Sequence, residues 1–199
     1  SGDDAHDPAA STDDQWNLKQ VQASEAWKKI RDRVGLAEGA EAEGIIIAHP
    51  DTGYRHHPET WTEVAGKRPI DAANGKNYYE EKPDSFDPLL SDRRLDNPGH
   101  GTASGSVIIS PPGCQLVNAA GCVNGIARGA QLVPLRVHRT VSQFNTSYLS
   151  QAIRDVAEGN IAGQPQLISI AMGGPPTLAM WKAVRAAEKN GVVVVAAAG

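Results

Sequence analysis

The sequence predicts an α/β fold built on a mostly parallel sheet, and three observations predict it. Short apolar runs recur at 45–47, 131–137, 166–171 and 192–195. The unbroken runs at 45–47 and 192–195 suit strands covered on both faces rather than the in/out alternation of a half-exposed sheet. Between them lie segments of helical period, at 147–158 and 177–190. Strands that alternate with helices imply parallel pairing through right-handed crossovers. At 199 residues, 40% apolar and 21% charged, the chain has material for one domain with a sizeable core.

Residues 1–14 are acidic and poor in large apolar groups, so they read as a flexible acidic arm. Ser24 and Glu25 suit the start of a helix, Lys28 to Arg33 suit its last turns, and Gly35 suits its stop. Trp27 and Ile30 would share that helix's buried face. The first core strand begins at Ile45 and ends at Asp51, where Thr52 and Gly53 can turn the chain. Residues 60–98 are polar and rich in turn signals, with Tyr78-Tyr79 a short strand among them. Small residues after His100 suit a helix whose first turns pack closely on a neighbour. The run 131–137 is the second core strand. Leu149, Ile153 and Val156 mark the buried side of the next helix. The run 166–171 is the third strand. The helix at 177–190 ends at Asn190-Gly191, and a fourth strand, apolar on both faces, follows. No internal repeat and no second domain are evident.

A net charge of −4 gives no electrostatic footprint for nucleic acid. No apolar run approaches the roughly 20 residues of a membrane helix. Cys114 and Cys122 lie close together and can form a local disulfide or stay as thiols; a disulfide would favour export.

Two residues stand out chemically. Asp51 closes a core strand, and ligands and chemistry collect beyond the carboxyl ends of strands in open α/β sheets. Asp is equally at home as a turn cap. His100 opens a helix after a Gly-Pro loop, a place where histidine is commonly a turn residue. Together they supply two thirds of a nucleophilic triad, an aspartate that orients an imidazole acting as general base.

Five segments resemble the subtilisin-like serine endopeptidases, the subtilases. Asp51-Thr52-Gly53, with His57-Pro58-Glu59 after it, resembles the aspartate motif, and His100-Gly101-Thr102 the histidine motif. Residues 125–137 resemble the strand after the histidine helix, 168–175 the segment lining the substrate cleft, and 191–199 the strand before the oxyanion asparagine. Residues from Gln15 to Trp27 are similar to the start of a mature subtilase. The resemblance implies a three-layer, doubly wound sheet with helices on both faces, truncated at its C-terminal side, over residues 15–199. It implies that Asp51 orients His100 and that His100 is the base. Ala171, Met172 and Gly173 would offer backbone groups to an extended peptide, and Ala197 and Gly199 would wall the pocket for the residue before the cut. The implied substrate is an extended peptide or protein. The implied location is outside the cytoplasm, secreted or otherwise exported.

Several features depart from the family pattern. His49-Pro50 stands where apolar residues are usual, and a proline there requires the strand to be ending. Ala103-Ser104-Gly105-Ser106 is smaller and more polar than usual. The loop from Ser110 to Gly125 falls near where many subtilases bind calcium but holds no clear cluster of oxygen ligands. No catalytic cofactor is expected and no metal residues are assigned; a structural calcium is left open, without a clear set of ligands. The nucleophilic serine and the oxyanion asparagine would lie beyond Gly199. The chain is accordingly expected to be inactive alone, as a truncated piece or as one part of a nicked enzyme whose C-terminal fragment carries the serine. The rival reading is a catalytically dead subtilase-like domain that binds peptides or a partner protein; the intact Asp51 and His100 argue against it. A dinucleotide loop at 99–105 lacks the strand it requires. His56, His57 and Glu59 read as surface and turn residues rather than as metal ligands.

Overall fold

The computed structural model describes residues 16–63, 66–80, 82–112 and 123–198. The acidic arm, the two cysteines and Gly199 lie outside the described residues, as does most of the loop where calcium was considered. Five parallel strands form one sheet: β1 (Ile46–Asp51), β2 (Lys76–Asn77), β3 (Gln131–Arg136), β4 (Leu167–Ile170) and β5 (Val193–Ala196). Their spatial order is β2-β3-β1-β4-β5, so β1 lies at the centre.

Helices cover both faces. Helix α5 (Ser147–Ala157) follows β3, and α6 (Leu178–Lys189) follows β4. They pack together over Ala48, Val133, Leu135, Ile168 and Ile170. Leu149, Ile153 and Val156 are buried as their spacing predicts, and Ala183 and Ala187 give α5 close access to α6. Thr177 caps α6, its Oγ1 accepting from the Met180 N–H at 3.2 Å. The opposite face carries Ile47, Leu132 and Ile70, covered in part by Ile109 of helix α4 (His100–Ile109). The result is a three-layer α/β domain. Among the described residues no helix is long and apolar enough to cross a membrane.

The expected uniform right-handed crossovers are not found. The connections β2–α4–β3, β3–α5–β4 and β4–α6–β5 all step across the sheet in one direction. Yet α4 lies on one face while α5 and α6 lie on the other, so the α4 connection has the opposite hand. The right-handed preference acts when a twisted strand feeds straight into its helix. Here the long segment 78–99 separates β2 from α4 and frees the connection from that constraint.

Other differences are local. The short helix α1 (Trp16–Gln20) precedes α2 (Ala23–Val34), which starts at Gln22 rather than Ser24. Gln22 takes a left-handed turn (φ 54°) off α1, so chain geometry sets the start without a side-chain cap. Gly35 ends α2 as expected, at φ 78° with its N–H on the Arg31 carbonyl. Trp27 is buried with Ala23 and Leu18, but Ile30 is exposed. The Arg128 guanidinium stacks on Trp27, 3.6 Å from its ring centroid, and Trp27 Nε1 donates to the Ile126 carbonyl; these contacts turn the helix on Trp27 alone. The edge strand β2 falls at Lys76–Asn77, two residues before Tyr78-Tyr79. β5 is apolar but exposed, with Val193 and Val195 uncovered among the described residues.

The strand β1 ends at Asp51, as expected, with Pro50 inside it. Odd residues of β1 hydrogen-bond toward β3, as where Gln131 and Val137 donate to the carbonyls of Ile45 and Asp51. Even residues face β4, whose pairing with β1 stops at Ala48↔Ile168. The N–H that Pro50 lacks would therefore point where no ladder exists, which makes proline tolerable in a central strand.

Candidate active site

The carboxyl end of β1 and the first turn of α4 meet. His100 Nδ1 lies 2.9 Å from Asp51 Oδ1 and 3.1 Å from Oδ2. Asp51 is fully buried, whereas the His100 side chain is 32% exposed. The approach depends on Gly101. A Cβ there would overlap the Gly53 carbonyl oxygen and stand 3.1 Å from Asp51 Cβ. Gly99, at φ 77°, turns the chain into the helix.

The hydrogen bond that His100 donates to Asp51 holds the His100 pKa above the ordinary histidine value, burial opposes this, and the carboxylate charge adds to the rise. With Nδ1 facing the carboxylate, the pair fixes the tautomer in which Nε2 is the basic nitrogen. No protein partner takes Nε2 among the described residues.

A second set of residues holds these two in place. The Thr52 N–H donates to Asp51 Oδ1 at 2.6 Å. Thr52 Oγ1 donates to Asp87 Oδ2 (3.0 Å) and accepts from the Gly101 N–H (3.0 Å). Asp87 Oδ2 also accepts from the Gly99 N–H at 2.8 Å, which puts a carboxylate at the N-terminus of α4. Arg136, buried at the end of β3, donates to the Thr52 carbonyl and makes a bidentate pair with Glu80, at 2.6 and 2.7 Å. Burial, the largest single influence, would raise the Glu80 pKa, but hydrogen bonds from Arg136 and Asn77 and the nearby positive charges together outweigh it and the net shift is downward. Thr52, Glu80, Asp87 and Arg136 were not picked out from the sequence. A lone Arg136 inside an apolar strand was the one available signal, because a buried guanidinium demands a partner. Asp87 sits in a polar loop and offered none.

Asn97 links this pair to a neighbouring cleft. Its N–H donates to the Arg139 carbonyl at 2.9 Å, and its Oδ1 accepts from the Val141 N–H at 3.0 Å. Residues 141–144 then run beside Ala171, Met172 and Gly173. These residues and Ala197 line a shallow cleft of about 600 Å³, with the exposed Phe144 on its rim. The Gly173 N–H and C=O already pair with the Val141 carbonyl and the Gln143 N–H, at 2.9 and 2.8 Å. Gly173 is therefore a wall of the cleft and not a free donor. Gln143 Nε2 contacts Met172 Sδ at 2.7 Å and holds that side chain inward. His57 caps the short helix α3 (Pro58–Trp61), and His56 stacks on Trp61 with ring centroids 3.6 Å apart. Among the described residues no group of three or more His, Cys, Asp or Glu side chains could hold a metal.

A buried carboxylate in contact with a half-exposed imidazole, at the carboxyl ends of a parallel sheet, marks the class of α/β domain to compare with known proteins. The chain belongs to the subtilase family, whose model matches residues 42–199. It is 28% identical over 184 residues to the major intracellular serine protease of Bacillus subtilis (strain 168), covering 92% of this chain and 48% of that protein. It is 24% identical over 185 residues to Subtilisin Savinase of Lederbergia lenta, covering 92% and 55%. Among solved structures, sphericase has the same fold, with a TM-score of 0.55 at 24% identity over 87% of this chain and 51% of that one. A chain of the periplasmic assembly from the ESX-5 inner membrane complex gives a TM-score of 0.52 at 20% identity, covering 92% and 45%. The chain thus spans about half the length of the curated relatives it matches.

Proposed function

We propose that this chain is the aspartate–histidine portion of a subtilisin-type serine endopeptidase. Asp51 holds His100 by Nδ1 and stabilises its imidazolium. His100 takes a proton from a serine hydroxyl supplied by sequence beyond this chain and returns it to the leaving amine. The extended substrate lies along Ala171 and Met172, with Gly173, Ala197 and Gly199 as pocket walls. The reading includes export of the whole protein, which a disulfide between Cys114 and Cys122 would suit. One relative is by name intracellular, so export is a separate point to test. The observation that carries the proposal is the 2.9 Å contact between His100 Nδ1 and a fully buried Asp51.

The test is fluorophosphonate labelling of the whole protein, mapped by peptide mass, alongside its peptidase rate. The expected label is on a serine beyond position 199. His100→Ala should lower kcat by roughly 10⁶, the scale for losing a triad base. An unchanged rate in His100→Ala would overturn the proposal, and absence of any label would favour a peptide-binding descendant.

A further inference from the structure

The two departures from the family pattern on either side of Asp51 meet in space. His49, on β1, is 2% exposed and lies on the α4 face of the sheet. Its Nε2 stands 2.9 Å from Ser104 Oγ, one turn along α4 from His100. Ser104 Oγ is in turn 3.2 Å from Asp51 Oδ2 and 2.8 Å from the His100 carbonyl. His49 Nε2 is itself 3.5 Å from Asp51 Oδ2. The other ring nitrogen, Nδ1, is 3.0 Å from the Ser169 carbonyl of β4.

We propose that His49 and Ser104 are positioning residues for Asp51, a buried polar pair that holds the Oδ2 side of its carboxylate. The inference rests on the reading of Asp51 and His100 as a catalytic pair.

A carbonyl can only accept, so His49 Nδ1 must carry a hydrogen and donate it to Ser169. This bond pins the ring to β4 and leaves Nε2 aimed at Ser104. The Ser104 hydroxyl has one proton and donates it to Asp51 Oδ2, so its oxygen must accept from His49 Nε2–H; in this chain of contacts both ring nitrogens of His49 carry hydrogen, and Ser104 bridges α4 to β1 at the level of the carboxylate. Asp51 is then gripped from two sides. Oδ1 receives the Thr52 N–H and faces His100, while Oδ2 faces Ser104 and His49. The apolar residues usual at these positions could fill the space but could not restrain the carboxylate's rotation about its Cβ–Cγ bond. A rotated carboxylate would present the wrong lone pair to His100, and errors of geometry at a reacting centre are costly. The two residues also explain each other. A histidine at 49 without Ser104 would be a buried polar group with one nitrogen unmatched, and Ser104 without His49 would lose its link to the sheet.

The test uses the whole protein, with kcat expressed per active site counted by fluorophosphonate titration, so that loss of folded molecules does not register as loss of rate. Ser104→Ala should lower kcat ten- to hundredfold with KM unchanged. His49→Asn keeps a donor near Nδ1 but loses the reach of Nε2, so it should show the same loss. His49→Gln restores a polar group near the Nε2 position and should recover most of the rate. The double variant Ser104→Ala/His49→Asn should be no slower than either single variant, because both break one chain of contacts. Full kcat per titrated site in Ser104→Ala, or losses that multiply in the double variant, would overturn the inference. Asp51→Ala separates this from failure of the parent reading. If Asp51→Ala is crippled and the His49 and Ser104 variants are not, only the positioning role falls. If Asp51→Ala is fully active, the triad itself falls.

Discussion

Replacing Gly101 with alanine tests how tightly the site is built. In an exposed helix this change would gain about 0.5–1 kcal/mol, since glycine is a poor helix former. Here the new methyl would overlap the Gly53 carbonyl oxygen and press on Asp51, with Cβ and Oδ1 at 3.1 and 3.2 Å. Carbon and carbonyl oxygen do not come closer than about 3.3 Å without repulsion. Relief requires the start of α4 to withdraw by about 1 Å. His100 opens that helix, and a 1 Å withdrawal takes its 2.9 Å bond to Asp51 out of hydrogen-bonding range. A displacement of that size costs about 10² in rate. The control is Gly105→Ala, one turn on, whose methyl would meet only Leu132 at 3.6 Å and His49 at 3.9 Å, both ordinary contacts. We expect Gly105→Ala to keep its activity and gain a fraction of a kcal/mol. The assay is kcat/KM of the whole protein on a peptide substrate, with a thermal melt of each variant. Gly101→Ala within twofold of wild type would refute the reasoning that this glycine sets the spacing of the pair.

Further outcomes follow from the site and the core. Because Asp51 raises the His100 pKa, the base form of His100 accumulates only as pH climbs through a value above the ordinary 6.5. Asp51→Asn should move the acidic limb of kcat/KM to lower pH and depress its plateau by about 10⁴; a limb that stays put would refute the coupling. The same pairing stabilises the folded state fully below the unfolded histidine pKa and fades as pH rises through the raised folded one. Arg136→Met leaves the Thr52 carbonyl and Asp87 without their buried cation, so urea unfolding should show a loss of about 3 kcal/mol. Glu80→Gln should cost less, because the Glu80 side chain is partly exposed and water can replace it at the guanidinium. Ile153→Ala, fully buried between α5 and the sheet, should cost about 2–5 kcal/mol in the same experiment.

Much of this architecture was legible because periodicity reports burial. Leu149, Ile153 and Val156 declared a helix face, and the run after Gly44 declared a strand covered on both sides. The Asp51–His100 pair was legible through its motifs. The supporting shell was not. Asp87 and Glu80 come from a loop without periodicity, and their partners are set by where the segment 78–99 returns to the sheet. The strand's end at Asp51 was legible, but the reason Pro50 is tolerated inside it was not. Proline usually marks the end of a strand, but β4 diverges from β1 just there, and only the sheet's register reveals that. The hand of the β2–α4–β3 connection was likewise hidden, since the length of a loop does not say over which face it passes. Ile30 failed because a three-residue spacing marks a helical face without saying whether anything lies over it.

The central position of β1 has a consequence for how the molecule comes together. Ile46 pairs with Gln131, 85 residues downstream, and Ile47 pairs with Leu167, 120 residues downstream. Closing a loop of about 100 residues costs roughly 2 kcal/mol more entropy than closing one of ten. Of the five described strands, the first to be synthesised is thus the one whose partners arrive late, and its apolar run waits uncovered until they do. Folding should be slow for a chain of this size, as it is wherever pairing is remote in sequence. The contact between Asp51 and His100 also requires a β1 already clamped between β3 and β4. That contact is therefore expected to form late.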